Sequence, residues 1–321
     1  MTTKTASAMT EHPLLQPKGV HFETPAFARL VDALTEWLWS GSTGGVVVGA
    51  PRIGKSWAAR SLTDHLKLRN GRPVPVFYTS IVDRDTKTIA EVSRRACIDH
   101  QLPITARATA DRLSEQFLSH VCDVQMEAGV RTAVLIVDEF DHLTPRQFNA
   151  FAELFNRIDQ LHRTLVTVFI GNKAEAFRLL ARMDGDEYRR IRGRFFKRFS
   201  EYHGIQTREE LKTLMAQYDV LRFPDNGPTY CAHFLPEAVN AGWRLASLSK
   251  DLWREYAQIA KEYQLTSWGL EYVVGTLNTL VTDLLPHYGW REIDDDLLRE
   301  AVLLTHVADD FIKALPVEVN R

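Results

Sequence analysis

The 321-residue sequence predicts an α/β protein, a parallel sheet flanked by helices, followed by an all-helical domain. Three observations carry this. Short apolar, β-branched runs at 45–48, 74–79, 132–137 and 164–170 alternate with stretches of helical periodicity. The run Thr132-Ala133-Val134-Leu135-Ile136-Val137 is apolar on both faces, as a strand covered by helices on both sides demands. After about Gly204 the strand signals stop, and helical stretches continue around 208–218, 236–263, 267–287 and 294–314. The expected division is a flexible N-terminal arm (1–20), an α/β domain (21–204) and a helical domain (205–321).

In chain order, Pro25 follows a Thr24 cap and opens a helix carrying Phe27, Leu30, Val31, Leu34, Trp37 and Leu38 at helical spacing. The strand 45–48 comes next, then a loop, then a helix expected to reach about Lys67. The turn Asn70-Gly71-Arg72-Pro73 leads to the second strand, 74–79. Helices are expected over 83–100 and 109–127, with Leu113, Phe117, Leu118 and Val121 on the buried face of the latter. Phe148, Phe151, Leu154, Phe155, Ile158 and Leu161 mark a further helix, and 164–172 a further buried strand.

The composition, 45% hydrophobic and 25% charged, is that of a soluble globular chain able to bury a full core. Lys+Arg 39 against Asp+Glu 41 leaves a net charge of −2, so any nucleic-acid role must rest on local clusters. Cys97, Cys122 and Cys231 lack C-x-x-C spacing and read as reduced packing thiols, with neither disulfide nor zinc indicated. The polar opening residues carry no apolar signal segment, and no run approaches the ~20 residues of a membrane helix. A cytoplasmic protein with no membrane partner is expected.

Gly49-Ala50-Pro51-Arg52-Ile53-Gly54-Lys55-Ser56 fits G-x-x-x-x-G-K-[ST], with a β-branched strand before it and helix formers from Trp57 after it. A strand breaking into such a loop aims backbone N–H groups at one point, which suits a triphosphate. Gly49 to Trp57 are therefore the expected ATP-binding run, with Lys55 on the β- and γ-phosphates and Ser56 ligating Mg²⁺. Asp138 ends the buried strand and is the expected Mg²⁺-sphere residue. Glu139, on the other side of the pleat, is the expected general base toward water. Asn172 ends the strand 164–170 on the crevice side, where an amide can bind a γ-phosphate or position water; Gly-Asn is equally a common turn pair. The cluster Arg189-Arg190-Ile191-Arg192-Gly193-Arg194-Phe195-Phe196-Lys197-Arg198-Phe199 calls for an anionic partner: a neighbouring subunit's triphosphate, nucleic acid or a carboxylate.

Taken in order, these motifs and the helical domain resemble an AAA+ ATPase, over roughly residues 20–204. The opening Phe22-Glu23-Thr24-Pro25-Ala26-Phe27 and the closing Tyr288-Gly289-Trp290-Arg291-Glu292-Ile293-Asp294 are similar to TnsC-type regulators of transposition. That resemblance implies an AAA+ P-loop NTPase core with a helical lid. It also implies an ATPase that forms a ring or helical homo-oligomer on duplex DNA and links target-selection proteins to a transposase. It assigns Asn172 as sensor 1 and Arg194 as the finger in trans, with Arg192 and Arg198 as alternatives. It places DNA contact at Arg84, Lys87, Thr88, Thr144 and Arg146. Two departures stand out: Arg52 where many such loops carry another Gly, and no sensor 2 arginine in the helix beginning Trp268-Gly269-Leu270, which suits a slow, switch-like ATPase better than a motor. Two alternatives share the ATPase motifs. One is a replication initiator or helicase loader, although no convincing helix-turn-helix follows residue 205. The other is a signalling or defence NTPase that binds a protein partner without DNA.

Overall fold

The consecutive valines 46–48 form β1 (Gly44–Gly49), every residue of which is buried. A computed structural model describes residues 11–16, 19–20, 22–83 and 87–307. Their contacts divide into two units: one of residues 27–202, the other of the described parts of 1–26 and 203–321.

In the first unit, α1 (Pro25–Trp39) leads into β1, and α2 (Lys55–Ser61) follows the phosphate loop. Then come β2 (Val76–Ser80), α3 (Ile89–Asp99), α4 (Ala110–Glu127), β3 (Thr132–Asp138), α5 (Phe148–Gln160) and β4 (Thr164–Asn172). The unit closes with α6 (Lys173–Ala181), α7 (Arg189–Phe195) and β5 (Phe199–Glu201). All strand pairs are parallel, in the order β2-β3-β4-β1-β5. The chain leaves β1 toward one edge of the sheet and leaves β4 toward the other. The two connections therefore part above the β1–β4 pair, where open α/β sheets place their ligands.

In this unit two helix expectations differ from the structure, and one strand was not foreseen. The helix after the phosphate loop ends at Ser61 in a 3-10 turn rather than near Lys67, because the chain must turn back to pair Lys67 with Pro73. The helix expected over 83–100 begins only at Ile89, where the Thr88 hydroxyl caps it by accepting the Glu91 N–H. β5 had no sequence signal: three residues, one of them apolar, pair with Val46–Val48 at the sheet edge. Packing on one side of the sheet is aromatic. Phe169 of β4 lies 5.2 Å from Phe148 and Phe151 of α5 and 5.6 Å from Phe195 of α7, ring centre to ring centre, which pins both helices to the central strand.

The second unit is helical: α8 (Arg208–Tyr218), α9 (Tyr230–Phe234), α10 (Pro236–Asn240), α11 (Ser249–Tyr263), α12 (Leu270–Thr279), α13 (Leu285–Tyr288) and α14 (Asp295–Leu303). A π-helical turn at Leu280–Leu284 joins α12 to α13. The helix expected over 236–263 is broken. Gly242 takes φ +85°, and the Asp219 carboxylate accepts the N–H groups of Leu245 and Ala246, starting a new turn there. Within 1–20, expected as a flexible arm, the described Leu14 lies in this unit's core. Phe22 stacks on Tyr218 at 4.6 Å, and the Tyr218 hydroxyl donates to Asn278. The expected helix 294–314 is described to Leu303, and residues from 308 onward lie outside the described set.

Candidate functional site

Parallel pairing brings the strand ends to one level. Ser80 stands opposite Asp138, Asp138 opposite Ile170, and Gly49 opposite Asn172. The side chains beyond these ends are the ones the sequence singled out.

The loop from Gly49 to Trp57 turns tightly into α2. A Cβ on Gly49 would stand 2.4 Å from both the Ile53 side chain and the Tyr202 carbonyl, so only glycine allows Ile53 to tuck inward and anchor the loop. Gly54 takes φ +95°, and Arg52 takes φ +58°, the left-handed region that glycine would favour. Arg52 thus keeps the shape of a glycine-bearing loop at the cost of backbone strain. Lys55 is buried, and its Nζ donates to Gly49 O (3.1 Å), Ala50 O (2.6 Å) and Asn172 Oδ1 (3.0 Å). Burial pulls the ammonium's pKa below its ordinary value, while Asp138, Asp141, Glu139 and Glu175 pull it upward. Ser56 and Trp57 are half-buried beside it, with the Trp57 ring 6.0 Å from Phe27.

Asp138 is 2% exposed, with Oδ1 accepting the Glu139 N–H (3.0 Å) and Oδ2 the Tyr78 hydroxyl (2.8 Å). Burial, then the Asp138 charge, push the Tyr78 phenol up to about 12. Arg60 of α2 lies over the Tyr78 ring at 5.1 Å, tying α2 to β2. Glu139 follows in a left-handed conformation, φ +56°, and its Oε2 accepts the Ser80 hydroxyl at 2.8 Å. Ser80 is itself fixed from α3: its N–H donates to Asp99 and its carbonyl accepts from Arg95.

The remaining expectations fall as follows. Asn172 sits at the N-cap of α6 and meets Lys55, so the start of α2 and the end of β4 supply one group. Arg194 is half-buried, its guanidinium 4.2 Å from the Phe155 ring centre and its Nη1 donating to Ala152 O (3.4 Å). Arg192 donates to the carbonyls of Met183 and Gly185, and Arg198 to the hydroxyls of Ser42 and Ser40. Lys87 donates to His142 O (3.0 Å), and Gln147 donates to Thr88 O (3.1 Å) while accepting the Thr144 hydroxyl (3.0 Å). Lys87, Thr88, Thr144 and the exposed Arg146 thus gather on two joined loops beyond β2 and β3, and Arg84 lies outside the described residues. Sequence reasoning missed Tyr78, Ser80 and Asp141. Each lies beside the site only through strand pairing or a turn, which no motif spacing marks.

The set suits a phosphate ligand. A buried cation, a glycine-shaped loop and a carboxylate pair converge, and a magnesium ion here would be held jointly with the phosphates by Ser56 and Asp138. Among the described residues no cluster of three or more His, Cys, Asp or Glu forms a separate metal cage, and no helix is long and apolar enough to cross a membrane.

Residues 40–180 match the family described as AAA domain. No curated protein matches the chain. Among solved structures, the ORC2 protein of Aeropyrum pernix in its ADP form is 16% identical over 87% of this chain and 67% of its own, with a TM-score of 0.54. The same protein in ADPNP–ADP complexes is 15% identical over the same shares, with a TM-score of 0.50. Cdc6p of Pyrobaculum aerophilum is 16% identical over 84% of this chain and 71% of its own, at a TM-score of 0.43. At these identities the likeness concerns the fold. Strand order, phosphate loop and the match of residues 40–180 to the AAA domain family agree on the fold: an AAA+ P-loop fold, a parallel sheet flanked by helices with a helical C-terminal region.

Proposed function

We propose that the chain is an ATP-dependent, DNA-binding switch of the Orc/Cdc6 replication-initiator or helicase-loader kind. The observation that carries it is the hydrogen bond from Lys55 to Asn172, with Asp138 ending the adjacent strand and Glu139 just beyond it. Lys55, the loop amides and Asn172 bind and orient the phosphates, and Ser56 and Asp138 support Mg²⁺, which offsets phosphate charge when bound. Glu139 takes the proton of the attacking water. Arg194 is donated to the neighbouring subunit's phosphates, with Arg192 and Arg198 as alternatives, so hydrolysis accompanies self-assembly. Lys87, Thr88, Thr144 and Arg146 supply sequence-independent contacts to DNA phosphates, repeated once per subunit.

The shared fold with ORC2, solved with ADP and ADPNP, favours this reading over the transposition one. The TnsC-type role, with a transposase and target-selection proteins as partners, rests on sequence resemblance alone. The deciding experiment is a mobility shift of duplex DNA with ATP, with ADP and with neither, using the wild-type chain and Lys55→Ala. ATP-dependent shifting that Lys55→Ala abolishes is expected. ATP-dependent oligomers indifferent to DNA would replace this reading with a signalling NTPase.

A further inference from the structure

Asp141 lies on the turn Phe140–His142 just past Glu139, outside both the phosphate loop and the Asp138–Glu139 pair. Its Oδ1 accepts the backbone N–H of Asn172 at 3.0 Å. Its Oδ2 is buried with no hydrogen-bond partner. The neighbouring residue on β4 is shaped around this carboxylate. A Cβ on Gly171 would stand 2.2 Å from Asp141 Oδ1 and 2.9 Å from the Phe140 ring, so glycine here serves a close approach rather than a turn. Asn172 is therefore held twice, at its backbone by Asp141 and at its side chain by Lys55.

An orphaned buried carboxylate oxygen costs free energy, and capping one strand-end N–H needs only a neutral acceptor. Burial raises the Asp141 pKa above the ordinary carboxylate value, against the lowering effect of the Asn172 N–H. A group kept under that penalty, with a glycine cut to admit it, is placed for the residue it holds. We propose that Asp141 is a positioning residue for ATP hydrolysis, fixing the end of β4 so that the Asn172 amide faces the phosphates. The inference rests on the reading of Asn172 given above. It assigns Asp141 no contact with nucleotide.

The test compares steady-state turnover and ADP affinity for full-length wild type, Asp141→Ala, Asp141→Asn, Asn172→Ala and the double variant Asp141→Ala/Asn172→Ala. Asp141→Ala should lower kcat about tenfold, the effect of losing one charge-assisted hydrogen bond. Its ADP affinity should stay within about twofold, because a positioning loss acts on the chemical step rather than on ground-state binding. Asp141→Asn keeps an acceptor of the same shape and should restore most of kcat. Because Asp141 acts through Asn172, the double variant should be no slower than Asn172→Ala alone. Losses that multiply in the double variant, or wild-type turnover in Asp141→Ala, would overturn the proposal and leave Asn172 in place. Wild-type turnover in Asn172→Ala would remove Asn172 from the site and the proposal with it.

Discussion

The Ser80 hydroxyl donates to Glu139 Oε2 at 2.8 Å, across the β2–β3 pair in which Ser80 stands opposite Asp138. One oxygen of the proposed base is thus engaged by a neighbouring strand, and that hydrogen bond must be given up before the oxygen can take a proton from water. Ser80→Ala should raise turnover by up to about fivefold, the worth of one ordinary hydrogen bond, with nucleotide affinity unchanged. Glu139→Gln should lower turnover by roughly 10²–10⁴-fold while ATP still binds. Phosphate release measured on both variants checks this; identical rates for Ser80→Ala and wild type would dismiss the restraint.

Arg52 carries its left-handed φ of +58° against the preference of every residue with a Cβ. Comparing Arg52→Gly with Arg52→Ala separates backbone from side chain, since both remove the guanidinium. The glycine variant should be the more stable by about 1 kcal/mol, or roughly 2–4 °C in Tm. Equal melting temperatures would show that the loop carries no strain there.

Arg194 stacks on Phe155 within its own subunit, whereas Arg189 and Arg190 are exposed, with no side-chain hydrogen bond or ion pair among the described residues. Arg194→Ala should leave ADP binding by the monomer intact and lower turnover in the assembly. Arg194→Lys should not rescue it, because an ammonium cannot reproduce the stacked planar fork. If turnover falls instead with Arg189→Ala or Arg190→Ala alone, the residue acting in trans is one of those two.

His12, 4% exposed, is packed against Phe223, Tyr230, His233 and Phe234 in the helical unit. Burial, then the His233 charge, lower its pKa from 6.5 to about 4. The folded chain thus binds fewer protons than the unfolded one between these values, so stability is full above pH 6.5 and falls as pH drops toward 4. The loss amounts to about 3 kcal/mol, at 1.36 kcal/mol per unit. His12→Phe keeps the packing and removes the titration. Its melting temperature should therefore fall less than that of wild type between pH 7 and pH 4.5. Parallel curves would place the acid sensitivity elsewhere.

What the sequence made legible was whatever is written locally. Val46–Val48 and Thr132–Val137 announce buried strands by composition, and the loop 49–56 announces its chemistry by spacing. What it hid depends on partners distant along the chain. β5 has too few residues to show a period, and β1 alone makes it a strand. Asp219 breaks a promising helix from 26 residues away. Ser80 and Tyr78 join the site because β2 pairs in parallel with β3, a fact that appears only when the sheet is assembled. Arg194 shows the same limit: the family resemblance suggested a role between subunits, but its stacking on Phe155 is a property of how α5 and α7 meet.

The register that aligns Ser80 with Asp138 and Gly49 with Asn172 has a consequence for how this chain can be altered. Deleting one residue inside β4 would move Asn172 about 3.3 Å and turn it to the opposite face, so indels there are incompatible with the site. The surface turns beyond the strands obey no such rule. The exposed tip at Asn70 and Gly71 can be lengthened or fitted with foreign sequence while the reacting groups keep their places. The fold thus separates a frame that tolerates no slippage from connections open to grafting.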